Sequence, residues 1–243
     1  MNLKYLIKAG VRKYILNKKS TFTNSAFRNL RSFQIEGSER EWKQLLFYNE
    51  MLEKIENVPG NVAEFGVAGG ISLISFIRIL RVRERGLDSK EIRKVYGFDS
   101  FEGLPKLGRE DRSKVSSNAD MKEGGFHDPM AYENLFEFAK KDGETFVVRG
   151  WFSETLPTFL RNNPHEAFAL VHMDCDLYES TKFVLEKIWG NVVPGGIIVF
   201  DELYHKDFPG ETAAFNEVMK GKKFKLMKSK IKPDKKYVIK DEV

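Results

Sequence analysis

The sequence contains one cysteine, Cys175, among its 243 residues. A single cysteine excludes a disulfide within the chain and any zinc or iron–sulfur site built from several thiolates. The longest mostly apolar stretches, 68–80 and 192–200, are too short to cross a bilayer. The first residues do not show a basic region, an apolar region and a small-residue cleavage site in succession, so no signal peptide is predicted. Together these absences favour a reducing, cytoplasmic location.

Charge is unevenly distributed, although the formal net charge is only +5. Residues 1–35 hold eight basic side chains and no acidic one, and residues 220–243 hold ten lysines against three acids. The stretch between them, 36–219, is acidic overall. Basic ends favour an anionic partner such as a phosphorylated ligand or a lipid headgroup, and a simply solvated face fits them equally well. The acidic middle would repel a phosphate backbone, so we expect no nucleic-acid partner.

Apolar residues recur at helical spacing between the basic residues of segment 1–20. This pattern predicts an amphipathic basic helix, which either lies on a membrane surface or docks on the protein itself. Peripheral membrane contact through this helix, at the inner face, is therefore a hypothesis. We divide the chain into a basic N-terminal extension, 1–40, and a main domain, 41–243.

Short apolar segments alternate with helical periodicity through most of the main domain. Five strands are predicted, at 62–65, 95–98, 145–148, 167–173 and 197–200. Strands that alternate with helices predict an α/β fold with a doubly wound, mostly parallel sheet. Two further short strands, 224–227 and 237–239, predict a terminal hairpin, so the last of the seven strands should run antiparallel.

Three polar residues are predicted to cap helices, and one polar segment is predicted to be a loop. Asp128, Ser153 and Ser180 stand where helical periodicity begins, and Asp128 precedes a proline suited to a first helical position. Segment 106–127 is charged and contains glycine, which predicts a mobile lid over the site.

In doubly wound sheets, ligands bind beyond the carboxyl ends of the strands, and acids follow several of them here. The loop 64–70 has glycines that let its backbone approach a ligand closely. Ala68 and Ile71 break the dinucleotide pattern G-x-G-x-x-G, which disfavours a nicotinamide-dependent dehydrogenase. Glu64 suits a cationic ligand with an ammonium and a sulfonium. The carboxylate of Asp99 can accept hydrogen bonds from both hydroxyls of a ribose.

A second acidic group follows the fourth and fifth strands. Asp174 and Asp201 end neighbouring parallel strands, and Glu202 comes next. Converging carboxylates repel one another unless a cation or a shared proton offsets them, and oxygen ligands favour magnesium or calcium. The alternative is that Asp174 positions the cofactor while Asp201 and Glu202 cap a loop. Cys175 is interpreted as a small buried residue and not a nucleophile.

Four segments together resemble the macrocin O-methyltransferase family: 64–70, 97–105, 174–178, and 194–196 with Asp201-Glu202. The resemblance runs from about residue 42 to 219. It implies a Rossmann-like class I enzyme that uses S-adenosylmethionine to methylate hydroxyls on sugars of natural products or on nucleotide sugars. The end of this region is most similar to the branch that acts on dTDP-linked deoxysugars.

The resemblance also implies roles for individual positions. The methionine end of the cofactor would contact Glu64, Gly66, Gly70 and Ser72, as well as Asp174. The ribose would be held by Asp99 with Ser100 beside it, and the adenine enclosed by Gly150, Trp151 and Phe152. Characterised relatives bind magnesium at the positions of Asp174, Asp201 and Glu202, with aspartate where this chain has Glu202. Relatives commonly self-associate, so a homo-oligomer is expected.

The predicted reaction is an in-line attack of a sugar hydroxyl on the cofactor's methyl group. Asp174 is the first candidate for the general base, and His205 is the second. Two other function classes stay open at this point. One is a metal-dependent methyltransferase for catechols or other phenols, and the other is a non-catalytic adapter whose basic ends bind a membrane or a partner.

Overall fold

The computed structural model describes residues 36–85, 92–112 and 121–241. The amphipathic helix predicted within 1–20, and the membrane hypothesis that depends on it, lie outside the described residues. Within the described part, no helix is long and apolar enough to cross a membrane.

The chain separates into two compact units, 1–44 and 45–243. Of the first unit, only residues 36–44 are described, and they include the beginning of the first helix. The second unit contains the sheet and all the predicted site residues.

Helices and strands alternate along the described residues. The helices are α1 (Glu39–Lys54), α2 (Ile71–Arg85), α3 (Ala131–Asp142), α4 (Phe152–Asn162), α5 (Tyr178–Ile188), followed by a 3-10 turn (Trp189–Asn191), and α6 (Pro209–Val218). The strands are β1 (Asn61–Phe65), β2 (Val95–Asp99), β3 (Thr145–Arg149), β4 (Phe168–Met173), β5 (Val192–Phe200), β6 (Phe224–Lys228) and β7 (Lys236–Lys240).

The seven strands form one sheet in the order β3-β2-β1-β4-β5-β7-β6. The first five in that order pair in parallel, whereas β7 is antiparallel to both of its neighbours. The predicted seven-stranded, doubly wound sheet with an antiparallel last strand is therefore confirmed. The strand order reverses between β1 and β4, and ligands of doubly wound sheets bind at such a point.

The core lies on both faces of the sheet because alternate residues of each strand point to opposite sides. Val62 packs in one apolar cluster with Phe47 of α1 and Leu73 of α2. Phe65 packs in the other cluster with Leu185 of α5. All six residues of β4 are buried, as expected for a central strand covered by helices on both faces.

The predicted cap at Asp128 is wrong. Helix α3 begins at Ala131, and its N-cap residue is Met130, which makes no side-chain capping bond. Asp128 instead accepts a hydrogen bond from the backbone N–H of Met130 at 2.9 Å. Its carboxylate therefore closes the turn that precedes the helix, so the helix starts later than predicted.

The predicted caps at Ser153 and Ser180 are also wrong. Both serines lie inside the first turns of α4 and α5, whose N-cap residues are Trp151 and Leu177. Before α4, Gly150 has a φ of 134°, which turns the chain into the helix earlier than its polar residues suggest.

Candidate active site

The carboxyl ends of β1, β4 and β5 meet at one edge of the sheet. Phe65 is paired with Met173, which is paired in turn with Phe200. The ladder continues beyond the strands, because Asp174 donates its N–H to Phe65 at 2.9 Å and Asp201 donates its own to Met173 at 3.0 Å. The predicted convergence of these acids at one edge therefore agrees with the register of the strands.

The glycine-rich loop lies directly against the Asp174 backbone. Gly66 has a φ of 89°, and a Cβ at this position would overlap the carbonyl oxygen of Asp174. Gly70 has a φ of 83°, and a Cβ there would collide with the side chain of Leu135 in α3. These two glycines are required because β4 and α3 leave no room for a side chain.

Glu64 is completely buried beneath this loop. Its Oε1 accepts a hydrogen bond from the hydroxyl of Ser72 and lies 3.2 Å from Nδ1 of His172. Its Oε2 has no hydrogen-bond partner among the described residues. The structure thus brings Glu64 and Ser72 together, as predicted, and leaves one carboxylate oxygen as an unused acceptor.

Asp99 is held by the backbone of the loops around it. Its Oδ2 accepts hydrogen bonds from the N–H groups of Val67 at 2.7 Å and Ala68 at 2.9 Å, and its Oδ1 accepts one from Phe101 at 2.6 Å. The neighbouring Ser100 is buried and bonded within the turn that follows. In this conformation Asp99 anchors the glycine-rich loop, so binding a ribose would require it to exchange some of these bonds.

The segment predicted to enclose the adenine lies beside Asp99, since Gly150 donates its N–H to the Asp99 carbonyl at 2.9 Å. Phe152 packs edge-on against Phe65, with 5.7 Å between ring centroids, and therefore contributes to the core. Trp151 is only partly buried and precedes α4. Of the two aromatic residues, Trp151 is the better placed to stack on a ligand.

A cluster of acids surrounds Asp174. Burial and the charge of Asp201 raise the pKa of Asp174 well above its ordinary value. Burial, with further repulsion from Asp201, raises the pKa of Asp176 to about 7 and that of Glu202 to about 8. Glu211 is fully buried, and its pKa is raised for the same two reasons. Neither Asp176 nor Glu211 is predicted from the sequence to have a role in the site.

Lys235 also lies in this cluster, although no motif of the sequence predicts a site role for it. Its Nζ lies 2.7 Å from Oδ2 of Asp201, 2.7 Å from the Asp201 carbonyl oxygen and 3.8 Å from Oε1 of Glu202. Burial alone would lower the pKa of Lys235, but the two carboxylates outweigh it and raise the pKa. Burial acts to raise the pKa of Asp201 as well, but the nearby ammonium of Lys235 helps to outweigh it, and the pKa of Asp201 is lowered. The sequence does contain a signal for the position of Lys235. Because the last strand runs antiparallel to β5, it begins beside the carboxyl end of β5, and a lysine just before it is therefore placed near the acids that follow β5.

The donor chemistry of the cluster suits a hard cation. Asp174, Asp201 and Glu202 offer only oxygen ligands, which magnesium and calcium prefer. Burial comes first among the causes that raise the pKa of Asp174 and Glu202, and the charge of Asp201 adds to it. Asp201 and Glu202 nevertheless face Lys235. A group whose ligand atoms all lie within 4.8 Å of one another is formed instead by Asp174 with Glu64 and His172.

His205 lies beside the acid cluster, as predicted. Its side chain is 45% exposed, and Nδ1 lies 3.4 Å from Oε2 of Glu202. His172 is buried, and its Nε2 lies 3.9 Å from Oδ1 of Asp201. His172 therefore stands between Glu64 on one side and Asp201 on the other.

The predicted lid is described only at its two ends, since residues 113–120 lie outside the described part. At the first end, Asp111 is buried and accepts hydrogen bonds from the N–H groups of Gly108 and Tyr178, each at 2.7 Å. At the second end, Nδ1 of His127 lies 3.0 Å from the Phe101 carbonyl oxygen. Both described ends of the predicted lid are thus joined to the rest of the domain, through Tyr178 and Phe101, and the lid itself stays a prediction.

Comparison with known proteins identifies relatives over most of the chain. A family model described as macrocin O-methyltransferase matches residues 37–225. The 8-demethyl-8-(2,3-dimethoxy-alpha-L-rhamnosyl)-tetracenomycin-C 4'-O-methyltransferase of Streptomyces olivaceus is 26% identical over 220 residues, which are 78% of this chain and 78% of that protein. The mycinamicin III 3''-O-methyltransferase of Micromonospora griseorubida is 29% identical over 155 residues, covering 60% of this chain and 56% of that one.

Solved structures give the same result. The calicheamicin methyltransferase CalS11 superposes with a TM-score of 0.76 at 26% identity, covering 98% of this chain and 94% of that chain. The O-methyltransferase NovP superposes with a TM-score of 0.62 at 26% identity, covering 82% and 80%. The chain therefore belongs to the macrocin O-methyltransferase family and is an S-adenosylmethionine-dependent methyltransferase.

Proposed function

We propose that this enzyme transfers the methyl group of S-adenosylmethionine to a hydroxyl of a sugar that is carried by a nucleotide or a natural product. The names of its relatives support this class of acceptor, because they act on a rhamnosyl tetracenomycin and on mycinamicin III. One structural observation supports the proposal: ligand atoms of Asp174 and Glu64 lie within 4.8 Å of each other, and Oε2 of Glu64 has no hydrogen-bond partner among the described residues.

The cofactor would lie along the glycine-rich loop. Its cationic methionine end would approach Glu64 and Ser72, where Oε2 of Glu64 is an unused acceptor. The close packing at Gly66 and Gly70 fixes the loop backbone that the cofactor would follow. The remaining proposed contacts are those of Asp99 and Ser100 with the ribose, and of Gly150, Trp151 and Phe152 around the adenine.

The acceptor would lie on the other side of Asp174. Asp174, Asp201 and Glu202 would hold a magnesium ion, which, when bound, supplies positive charge that stabilises a deprotonated hydroxyl. The chain's own residues orient the hydroxyl towards the methyl group, and this alignment supplies much of the rate enhancement. The lid 106–127 would exclude water from the aligned reactants.

The proton of the hydroxyl needs an acceptor close to the reacting atoms. Asp174 is our first choice, and His205, beside Glu202, is the second. The structure adds Asp176, which has a positive φ of 57° and a pKa of about 7, a value suited to a general base near neutral pH. Because Asp176 lies two residues after Asp174, substitution of each residue can separate their roles.

We expect Asp174→Asn to lower kcat/KM at least about a thousandfold, since it removes the proposed proton acceptor at the reacting centre. Affinity for S-adenosylmethionine, measured by calorimetry, should change by less than about threefold, because Glu64 and the loop remain. Methyl transfer would be followed as release of S-adenosylhomocysteine with a sugar nucleotide as acceptor. Asp234→Asn, at an exposed aspartate, is the matched control and should behave like the parent.

Turnover of Asp174→Asn at the parental rate would overturn the assignment of Asp174. A parent protein that gives no heat when titrated with S-adenosylmethionine would overturn the whole proposal and leave the adapter alternative. Comparing a sugar nucleotide with a catechol as acceptor separates sugar from phenol methylation. Loss of activity in EDTA would support the magnesium proposal, and full activity in EDTA would refute it.

A further inference from the structure

Lys235 differs from the other lysines of the basic C-terminal segment because its side chain is only 10% exposed and points into the acid cluster. Its ammonium group contacts both the carboxylate and the backbone carbonyl of Asp201 and lies near Glu202. A buried ammonium is stable only with such partners, because removing its charge from water is costly. The buried position of the Lys235 ammonium group therefore depends on the two acids.

The turn that carries Lys235 is fixed independently of those acids. Within the turn, the N–H of Ser229 donates to the Lys235 carbonyl at 3.0 Å. Glu50, a buried residue of α1, accepts hydrogen bonds from the N–H of Lys230 at 3.0 Å, the N–H of Ile231 at 3.4 Å and the hydroxyl of Ser229. The backbone on both sides of the turn is thus held, so Lys235 is directed towards the acids before any ligand arrives.

Lys235 occupies the side of Asp201 and Glu202 on which a shared cation would be stabilised. A divalent ion bound to these carboxylates would lie within a few ångströms of the ammonium, and like charges at such distances repel strongly in a partly buried site. The ion would have to displace the ammonium or bind against its repulsion.

We propose that Lys235 is the resident counter-ion of the acid cluster, which gathers Asp201 and Glu202 without a metal and weakens the binding of divalent cations there. This inference rests on the proposed function only in taking Asp174, Asp201 and Glu202 as the metal ligands. It makes Lys235 a positioning residue, because it acts through the carboxylates and not on the reacting atoms.

The test measures Mn²⁺ binding to the full chain directly, by electron paramagnetic resonance of free Mn²⁺ and by calorimetry. Lys235→Met removes the charge and keeps a side chain of similar length, and we expect its Kd for Mn²⁺ to be at least tenfold lower than that of the parent. Lys236→Met is the matched control, because Lys236 is the adjacent lysine and its Nζ contacts the exposed carbonyl of Asp234. Its Kd should equal that of the parent.

A second variant guards against misfolding. Lys235→Gln is neutral but can still donate a hydrogen bond, and we expect the same tightening of Mn²⁺ binding. Circular dichroism would establish which variants are folded. A folded variant at position 235 that binds Mn²⁺ no more tightly than the parent, or does not bind it, overturns the inference. Titration of S-adenosylmethionine into the parent reports on the proposed function separately. The side chain of Lys235 contacts Asp201 and Glu202, which are proposed to bind the metal and not the methyl donor.

Discussion

Single residues at the edge of the sheet have roles that depend on contacts across long stretches of chain. Gly66 is the clearest case, since it combines a positive φ with direct contact against the backbone of Asp174. Any side chain at this position must either push β1 away from β4 or rotate the Asp174 peptide. Both movements would displace an acid proposed for the chemistry.

We expect Gly66→Ala to lower the free energy of unfolding by about 3 kcal/mol or more, through backbone strain and steric overlap. Urea denaturation monitored by circular dichroism measures the change. Gly69→Ala is the control, because a Cβ at Gly69 would meet only Oδ2 of Asp128, at 3.8 Å. That variant should lose less than about 1 kcal/mol. Equal stability of the two variants would contradict the packing argument.

Some site residues could be predicted from the sequence, and others could not. Asp174 and Asp201 were predictable because parallel strands end at the same edge of a sheet. Lys235 was not, since its position depends on the direction of β7 and on a turn held by Glu50, 180 residues away from Lys230. The hydrogen bonds of Asp99 also escaped prediction, because a free carboxylate and one bound by backbone N–H groups look alike in sequence.

A buried ion pair connects two helices with the edge strand β3. Arg81 of α2 is 5% exposed, and its Nε and Nη2 donate to the two oxygens of Asp142, at 3.0 and 2.8 Å. Asp142 ends α3 and also accepts a hydrogen bond from the Thr145 hydroxyl of β3 at 2.7 Å. One carboxylate thus connects three elements.

We expect Asp142→Asn to cost about 2 kcal/mol of unfolding free energy, because it removes one of the two carboxylates that pair with the buried guanidinium of Arg81 and leaves Glu84, at 2.8 Å, as the other. Burial acts to raise the pKa of Asp142, but Arg81 and Thr145 outweigh it and lower the pKa below the ordinary value of 3.8. The charge of Asp142 therefore stabilises the fold above that value, and this stabilisation is lost as the pH falls through the lowered pKa.

Chemical denaturation at neutral pH and near pH 3 measures both effects. Between neutral pH and pH 3, the unfolding free energy of the variant should fall less than that of the parent, because the variant has no carboxylate at position 142 to be protonated. Glu39→Gln, in an exposed pair with Lys43, should leave the melting temperature unchanged. A variant at Asp142 that is as stable as the parent at neutral pH would contradict the role of the ion pair.

Element boundaries show a similar limit of sequence interpretation. The sequence predicts the fifth strand at 197–200, but β5 already begins at Val192 and includes the segment Pro194-Gly195-Gly196. Gly195 has a φ of 77° within that strand, and the pairing between β4 and β5 shifts in register nearby. Turn-forming residues were thus accommodated as an irregularity inside a strand, which local sequence does not distinguish from a true turn.

For the molecule as a whole, the acid cluster predicts a stability that falls as the pH rises. Asp176 and Glu202 have pKa values raised to about 7 and about 8, above their ordinary values of 3.8 and 4.5. Groups of this kind stabilise the fold while they are protonated. Their contribution is complete below the ordinary values and is lost as the pH rises through about 7 and 8.

We therefore expect the melting temperature of the metal-free protein to be lower at pH 9 than at pH 6. Differential scanning fluorimetry across this range, in the presence of EDTA, measures the trend. Asp176→Asn should flatten the decline, because it removes one of the acids with a raised pKa and retains the rest of the cluster. A melting temperature that is constant or rises towards pH 9 would refute the prediction.

The antiparallel direction of β7 has a consequence for how the enzyme matures during synthesis. All the strands that carry acids leave the ribosome before Lys235 and the turn that holds it. A nascent sheet that ends at β5 would therefore present Asp201 without the ammonium that pairs with it once the last hairpin docks beside β5. Docking of that hairpin is expected to complete the acid cluster, because it brings Lys235 to Asp201 and Glu202.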